Sequence, residues 1–231
     1  MVTIAQEEGK SLVARAMDAV KAHIREQALH VGDTLPGEGF FAEQLGVSRA
    51  VMREAFGGLA ALKLIDVANG RRAKVGALDG SVIAASLDHA LSTDQINVAD
   101  IWDVRRTIEM RTAALAAQNA TKIQAARIVA LAEAMGEDEP HEQTTEDDIE
   151  FHLAIAEASG NALFNQIVVS FVPLMRVSVP KAWNTRQTPE QRAAILGRHK
   201  RLAWAIANRD PEEAERSMAA HFDEAIGALL R

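Results

Sequence analysis

The chain has 231 residues, 48% of them hydrophobic and 25% charged, with a formal net charge of −7 and no cysteine. This is the balance of an ordinary globular protein, long enough for one large domain or two smaller ones, and it excludes disulfides and thiolate metal sites. The opening MVTIAQEEGK has no basic run ahead of an apolar core, and no window approaches the roughly 18 apolar residues of a membrane span, so a cytoplasmic protein with no membrane partner is expected.

In chain order, Ser11 can cap a first helix running to about Leu29, with Val13, Met17, Val20 and Ile24 as its buried stripe and Gly32-Asp33 as its break. Gly39 to Leu45 reads as a short helix that stops at Gly46, and Ser48 is the natural N-cap of the next. Two helices joined this tightly form a helix-turn-helix. In the second, Val51, Ala55, Leu59 and Leu62 make an apolar stripe, while Arg49 and Arg53 lie one turn apart on another face, at the end where a recognition helix enters the major groove. Gly57-Gly58 sits oddly there, since each glycine costs about 1 kcal/mol relative to alanine inside a helix.

The segment IDVANGRRAKV then shows two short β-prone runs around Asn69-Gly70, the dipeptide typical of a two-residue hairpin, with Arg71, Arg72 and Lys74 beyond it. This is a basic wing. Residues 49–74 hold six bases against two acids, and residues 1–76 hold ten against nine, which leaves −8 for the remainder. A basic patch on an acidic protein points to contact with the phosphates of double-stranded DNA.

LPGE, LGVSR, VMREA and the NG hairpin together resemble the winged helix-turn-helix of GntR-type bacterial transcription regulators. The resemblance implies that Arg49 and Arg53, following the Ser48 cap, touch bases or nearby phosphates. It also implies that Gly70 sits at the tip of the wing by the minor groove, with Arg71 and Arg72 beside it. One departure stands out: the family usually has Arg directly after the Glu of LPGE, and this chain has Gly39.

Residues 77–80 read as a linker between a DNA-binding domain (1–76) and an all-helical domain (81–231). Helices are expected over Ser81–Leu91, Val98–Asn119 and Thr121–Met135, with Ile101, Val104, Ile108 and Leu115 as the stripe of the long one. Arg105 falls on that inner side, where its charge needs an acid or an anionic ligand, and Glu109 one turn on is the simplest partner. GEDEPHEQTTEDD, with Pro140 and His141, reads as an exposed acidic loop, with Thr144 or Thr145 capping a helix to Ala158. That helix carries Asp148 and His152 four residues apart on one face. Asn161 caps a buried helix through Leu174, and Pro180 opens a looser stretch, KAWNTRQTPEQ. Helices Arg192–Asn208 and Glu212–Leu230 then follow around Asp210-Pro211.

His199 lies nine residues before Asn208 and His221 ten after Pro211, so on an antiparallel hairpin the two are level. A level histidine pair plus an Asp/His pair on a third helix is what a metal site inside a bundle requires. DxxFH followed by two such histidines is similar to the all-helical C-terminal domain of FadR-type GntR regulators. That resemblance implies Asp148, His152, His199 and His221 as metal ligands, Arg105 as a holder of a carboxylate effector, and a small organic acid completing the coordination. The family usually has Glu just before the first paired histidine, whereas this chain has Arg198. Nitrogen and oxygen donors without sulfur suit Zn²⁺, Ni²⁺ or Mn²⁺.

The fold expected is therefore mainly α, a winged helix-turn-helix followed by a helical bundle. The function expected is a regulator, a repressor, that binds palindromic operator DNA as a homodimer and senses a sugar acid, hydroxy acid or dicarboxylate. A purely structural metal or a metal sensor is the alternative. A metal-dependent hydrolase has less support, since there is no HExxH, nucleophile elbow or glycine-rich phosphate loop, and no enzyme is expected.

Overall fold

The structure is a computed structural model that describes residues 10–68, 70–136, 142–185 and 188–229. Asn69 of the wing turn and Pro140 and His141 of the acidic loop lie outside the described residues. The chain divides into two compact units, residues 1–82 and 83–231.

In the first unit, the Ser11 hydroxyl accepts from the Ala14 amide at 3.1 Å and opens α1 (Leu12–Glu26). α2 (Glu38–Leu45) stops at Gly46, whose φ of 65° is the left-handed cap that glycine adopts without strain. α3 (Arg49–Ala61) follows at once. The core gathers Val20, Phe41, Met52, Ala55, Leu59 and Ile65. The buried stripe of α3 is wider than expected, because Met52 and Phe56 join Ala55 and Leu59, while Leu62 lies past the helix end, 46% exposed.

α1 and α3 approach so closely that a Cβ on Gly58 would lie 3.1 Å from Met17 Sδ, which explains one of the two helical glycines. Gly57 has open space around it, and nothing in the structure explains it. The wing pairs β1 (Ile65–Asp66) with β2 (Lys74–Val75), Ile65 opposite Val75 and Asp66 opposite Lys74. The pairing ends at Asp66 and Lys74, with seven residues between them, instead of closing directly on a two-residue loop. Other contacts order the region: the Leu35 amide donates to Ala73 O at 2.8 Å, and Thr34 bridges Lys74. The Arg71 amide donates to Ala68 O at 3.1 Å, and Gly70, at φ 71°, lies within that tight turn.

The second unit contains nearly all of α4 (Ser81–Ser92), then α5 (Val98–Asn119), α6 (Lys122–Ala134), α7 (Glu142–Ala158), α8 (Ala162–Ser170), α9 (Val172–Asn184), α10 (Pro189–Ala207) and α11 (Pro211–Leu229). Capping boxes start three of them: Asn97 with Asp100, Thr121 with Gln124, and Thr188 with Gln191. α5 packs against α7, α10 and α11, so its inner face is central to the bundle. That face is Ile101, Trp102, Arg105, Glu109, Thr112 and Ala113, and Val104, expected in the stripe, is 49% exposed.

Three expectations for this unit change. α7 begins at Glu142, so Thr145 is buried within the helix instead of capping it. The helix expected from Asn161 through Leu174 is two, bent by 59° around Phe171, because Pro173 in the first turn of α9 cannot donate back to α8. α9 also runs on through Pro180 to Asn184, where burial of Val179, Ala182 and Trp183 offsets the lost backbone bond. Among the described residues no single helix is long and apolar enough to cross a membrane.

Candidate metal centre and nucleic-acid-reading face

The reading face is built by local chemistry. Ser48 Oγ accepts from the Val51 amide at 3.2 Å, which fixes the start of α3 and so the direction of Arg49 and Arg53, both exposed. Arg71, Arg72 and Lys74 are exposed on the wing. A Cβ on Gly39 would meet only Arg49 Nη2, at 3.9 Å, an ordinary contact. Packing therefore does not require glycine there, and its effect is to leave one side chain out of the face that Arg49 occupies.

The second site lies in the bundle. α7 carries Asp148 and His152, α10 carries His199 and α11 carries His221, and one donor atom from each lies within 4.8 Å of all the others. The rings of His199 and His221 have centroids 4.6 Å apart, so the two are indeed level on their hairpin. The three histidines are 1–5% exposed. His199 Nδ1 lies 3.0 Å from Ile195 O and donates to it, and Nε2 lies 3.2 Å from Asp148 Oδ1. A cation joins that nitrogen to the carboxylate, either a proton, as a hydrogen bond, or a metal ion.

The electrostatics agree. Burial works against the charge of Asp148, but the His199 hydrogen bond and the neighbouring His152, His199 and His221 outweigh it and hold its pKa well below the usual carboxylate range. For His221, burial first and then His199 and His152 push the pKa well down, which favours the neutral imidazole that binds metals. His221 Nδ1 has no hydrogen-bond partner among the described residues. Neither His152 nitrogen has a partner of hydrogen-bonding geometry, although Nδ1 lies against Glu109 Oε2. A divalent ion held at about 2.0–2.2 Å by each donor sets neighbouring donors about 3–3.5 Å apart, so the four side chains would close in by about an ångström on binding it. The residues fit a metal.

Behind His152 stands a buried pair. Arg105 Nε donates to Glu109 Oε1 at 2.7 Å, and the guanidinium lies over the rings of Trp102 and Phe222, 5.1 and 5.2 Å from their centroids. Burial opposes the charge of Glu109, yet Arg105 and then His152 hold its pKa below the ordinary value. Beside the centre is a small cavity of about 30 Å³. Asp148, His199 and His221 form its polar wall, Trp102 and Trp183 face the rest, and Arg105 does not line it.

Residues 12–75 match the family described as bacterial regulatory proteins, gntR family, and residues 100–224, over half the chain, match the FCD domain. The chain belongs to the GntR family. The Glc operon transcriptional activator of Escherichia coli (strain K12) is 30% identical over 94% of this chain and 88% of its own length. The HTH-type transcriptional repressor NanR of Citrobacter rodentium (strain ICC168) is 27% identical over 93% and 84%. The solved structure of Streptococcus agalactiae GntR matches with a TM-score of 0.65 at 25% identity, over 93% of this chain and 99% of that one. GntR proteins of this kind are transcription regulators, not enzymes; they bind operator DNA through the helix-turn-helix and sense small molecules through the FCD domain.

In this GntR-family chain Arg198 lies where Glu was looked for, and it ties α10 to α11. Its Nη1 donates to Ala220 O at 2.9 Å and its Nη2 pairs with Glu224, so it links the neighbours of His199 and His221. Two features of the site escaped the sequence reading. Glu109 was visible as a partner for Arg105, but its reach to His152 depends on how α5 packs on α7. Trp183 fell in a stretch assigned to a loop because Pro180 was taken to end the helix.

Proposed function

We propose that this GntR regulator binds a palindromic operator as a homodimer, in the cytoplasm, and that a small organic acid bound beside a divalent metal controls the binding. Arg49 and Arg53 with the Ser48 cap read the major groove, and Gly70, Arg71 and Arg72 carry the wing to the backbone or minor groove. Asp148, His152, His199 and His221 hold Zn²⁺, Ni²⁺ or Mn²⁺, and the metal, when bound, supplies a Lewis-acidic position for a carboxylate. Glu109 orients His152 and Arg105 neutralises Glu109, so Arg105 acts on the effector through this pair.

The observation that carries the reading is the convergence of four donors within 4.8 Å of one another, three of them, Asp148, His199 and His221, at the wall of a cavity. A ligand switches such a protein only by binding its two DNA-binding arrangements unequally. Calorimetry of metal-loaded and chelated protein with sugar acids, hydroxy acids and dicarboxylates, followed by operator binding with each binder, tests it. An acid that binds only the loaded protein and changes operator affinity is the expected result; no binding by any acid removes the effector. A second reading, a purely structural metal, draws on the burial of all three histidines and of Arg105, and it predicts that only the chelator alters operator binding.

A further inference from the structure

α3 carries Arg49 and Arg53 on its outer face, and Gly57 follows Arg53 by one further turn, so the three lie on the same side of the helix. Gly57 is exposed, and a Cβ built on it meets no described atom within 4 Å outside the helix's own backbone. It is no cap, since α3 runs on to Ala61. Glycine weakens a helix interior, where alanine is the favoured residue, and at Gly58 the close approach of Met17 accounts for it. Nothing inside the head does so at Gly57. The remaining use of a missing side chain lies outside the protein, where a bare backbone lets a ligand come close.

Geometry says which part of the DNA that is. A recognition helix enters the major groove with its N-terminal residues against base edges. Gly57 stands eight residues beyond Arg49, about 12 Å along the axis, and the groove is about 8.5 Å deep. With Arg49 at the bases, residue 57 is therefore level with the rim of the groove, which is sugar and phosphate.

Resting on the assignment of α3 as the reading helix, we propose that Gly57 is a positioning residue for DNA. Its bare backbone takes the sugar–phosphate rim of the major groove at van der Waals distance, and that seating lets Arg53, one turn nearer the N-terminus, reach the bases. A Cβ there holds the helix off the groove.

The test selects a duplex from random DNA with the full-length wild-type protein, then titrates that duplex with Gly57→Ala and Gly57→Leu. Alanine and leucine both favour helix more than glycine does, so the melting temperature should hold or rise by a few degrees. Affinity for the duplex should move the other way, about tenfold weaker in Gly57→Ala and weaker still in Gly57→Leu, the loss expected when one arginine contact is strained. Selection repeated with Gly57→Ala should return the wild-type consensus, because a contact with the DNA backbone positions the helix and reads no base. Unchanged affinity in both variants, affinity lost together with melting temperature, or a changed consensus overturns the proposal, and Gly57→Ala decides alone if Gly57→Leu does not fold. If the wild type enriches no duplex, or Arg49→Ala and Arg53→Ala both leave affinity for the selected duplex unchanged, the reading-helix assignment itself fails and this proposal with it.

Discussion

The two units put chemistry on opposite sides of their surfaces. In the head the interior is apolar and the groups proposed to meet DNA, Arg49, Arg53, Arg71 and Arg72, are exposed, held by a scaffold that needs none of them. In the helical unit the proposed site is the interior: Arg105, Glu109, His152, His199 and His221 are all buried among core side chains. The difference teaches that function and stability separate in the head and coincide in the bundle. Substitution should alter DNA binding alone in one, and both metal binding and folding in the other.

The sharpest way to break that contrast is Glu109→Ala. It leaves the Arg105 guanidinium, 0% exposed, without its acid, and unfolding by denaturant should show a loss of about 3–5 kcal/mol. A loss below about 1 kcal/mol would mean that water reaches Arg105 and that the bundle interior is not as closed as it looks. Next is His152→Ala. Metal content should fall, and the gain in stability on adding metal, about 2.7 kcal/mol at a hundredfold excess over Kd, should largely vanish. Full metal occupancy in this variant would show that His152 is no ligand.

For the head, Arg49→Ala and Arg53→Ala should each weaken specific operator binding by about 1–3 kcal/mol while the melting temperature stays put. Unchanged operator affinity in both would remove the assignment of α3 as the reading helix. The smallest effect tests whether the scaffold is as independent as claimed: Ser48→Ala removes the Val51 cap and should cost about 1 kcal/mol of head stability, with DNA binding weakened only as far as the first turn of α3 frays.

Much of this was legible along the chain because the signals are local. Ser11, Ser48, Gly46 and Asn161 act on neighbours within four residues, so caps and breaks could be read off directly, and Arg49 and Arg53 follow from helical periodicity. The cluster of Asp148, His152, His199 and His221 was legible for a related reason: Asp148 and His152 are one turn apart, and a short turn sets His199 level with His221. Prolines misled in both directions, since Pro173 bends the path between α8 and α9 while Pro180 is tolerated inside α9.

By itself, then, the order of residues determined the helices, the basic face of the head and the donor set of the bundle, because each depends on spacing within one element or across one turn. Only tertiary packing decided that Glu109 meets His152, that Arg105 stays out of the cavity and that Arg198 ties α10 to α11. Those contacts join residues tens of positions apart. Which of them form is set by which helix faces bury the most apolar surface together, and no local pattern encodes that choice.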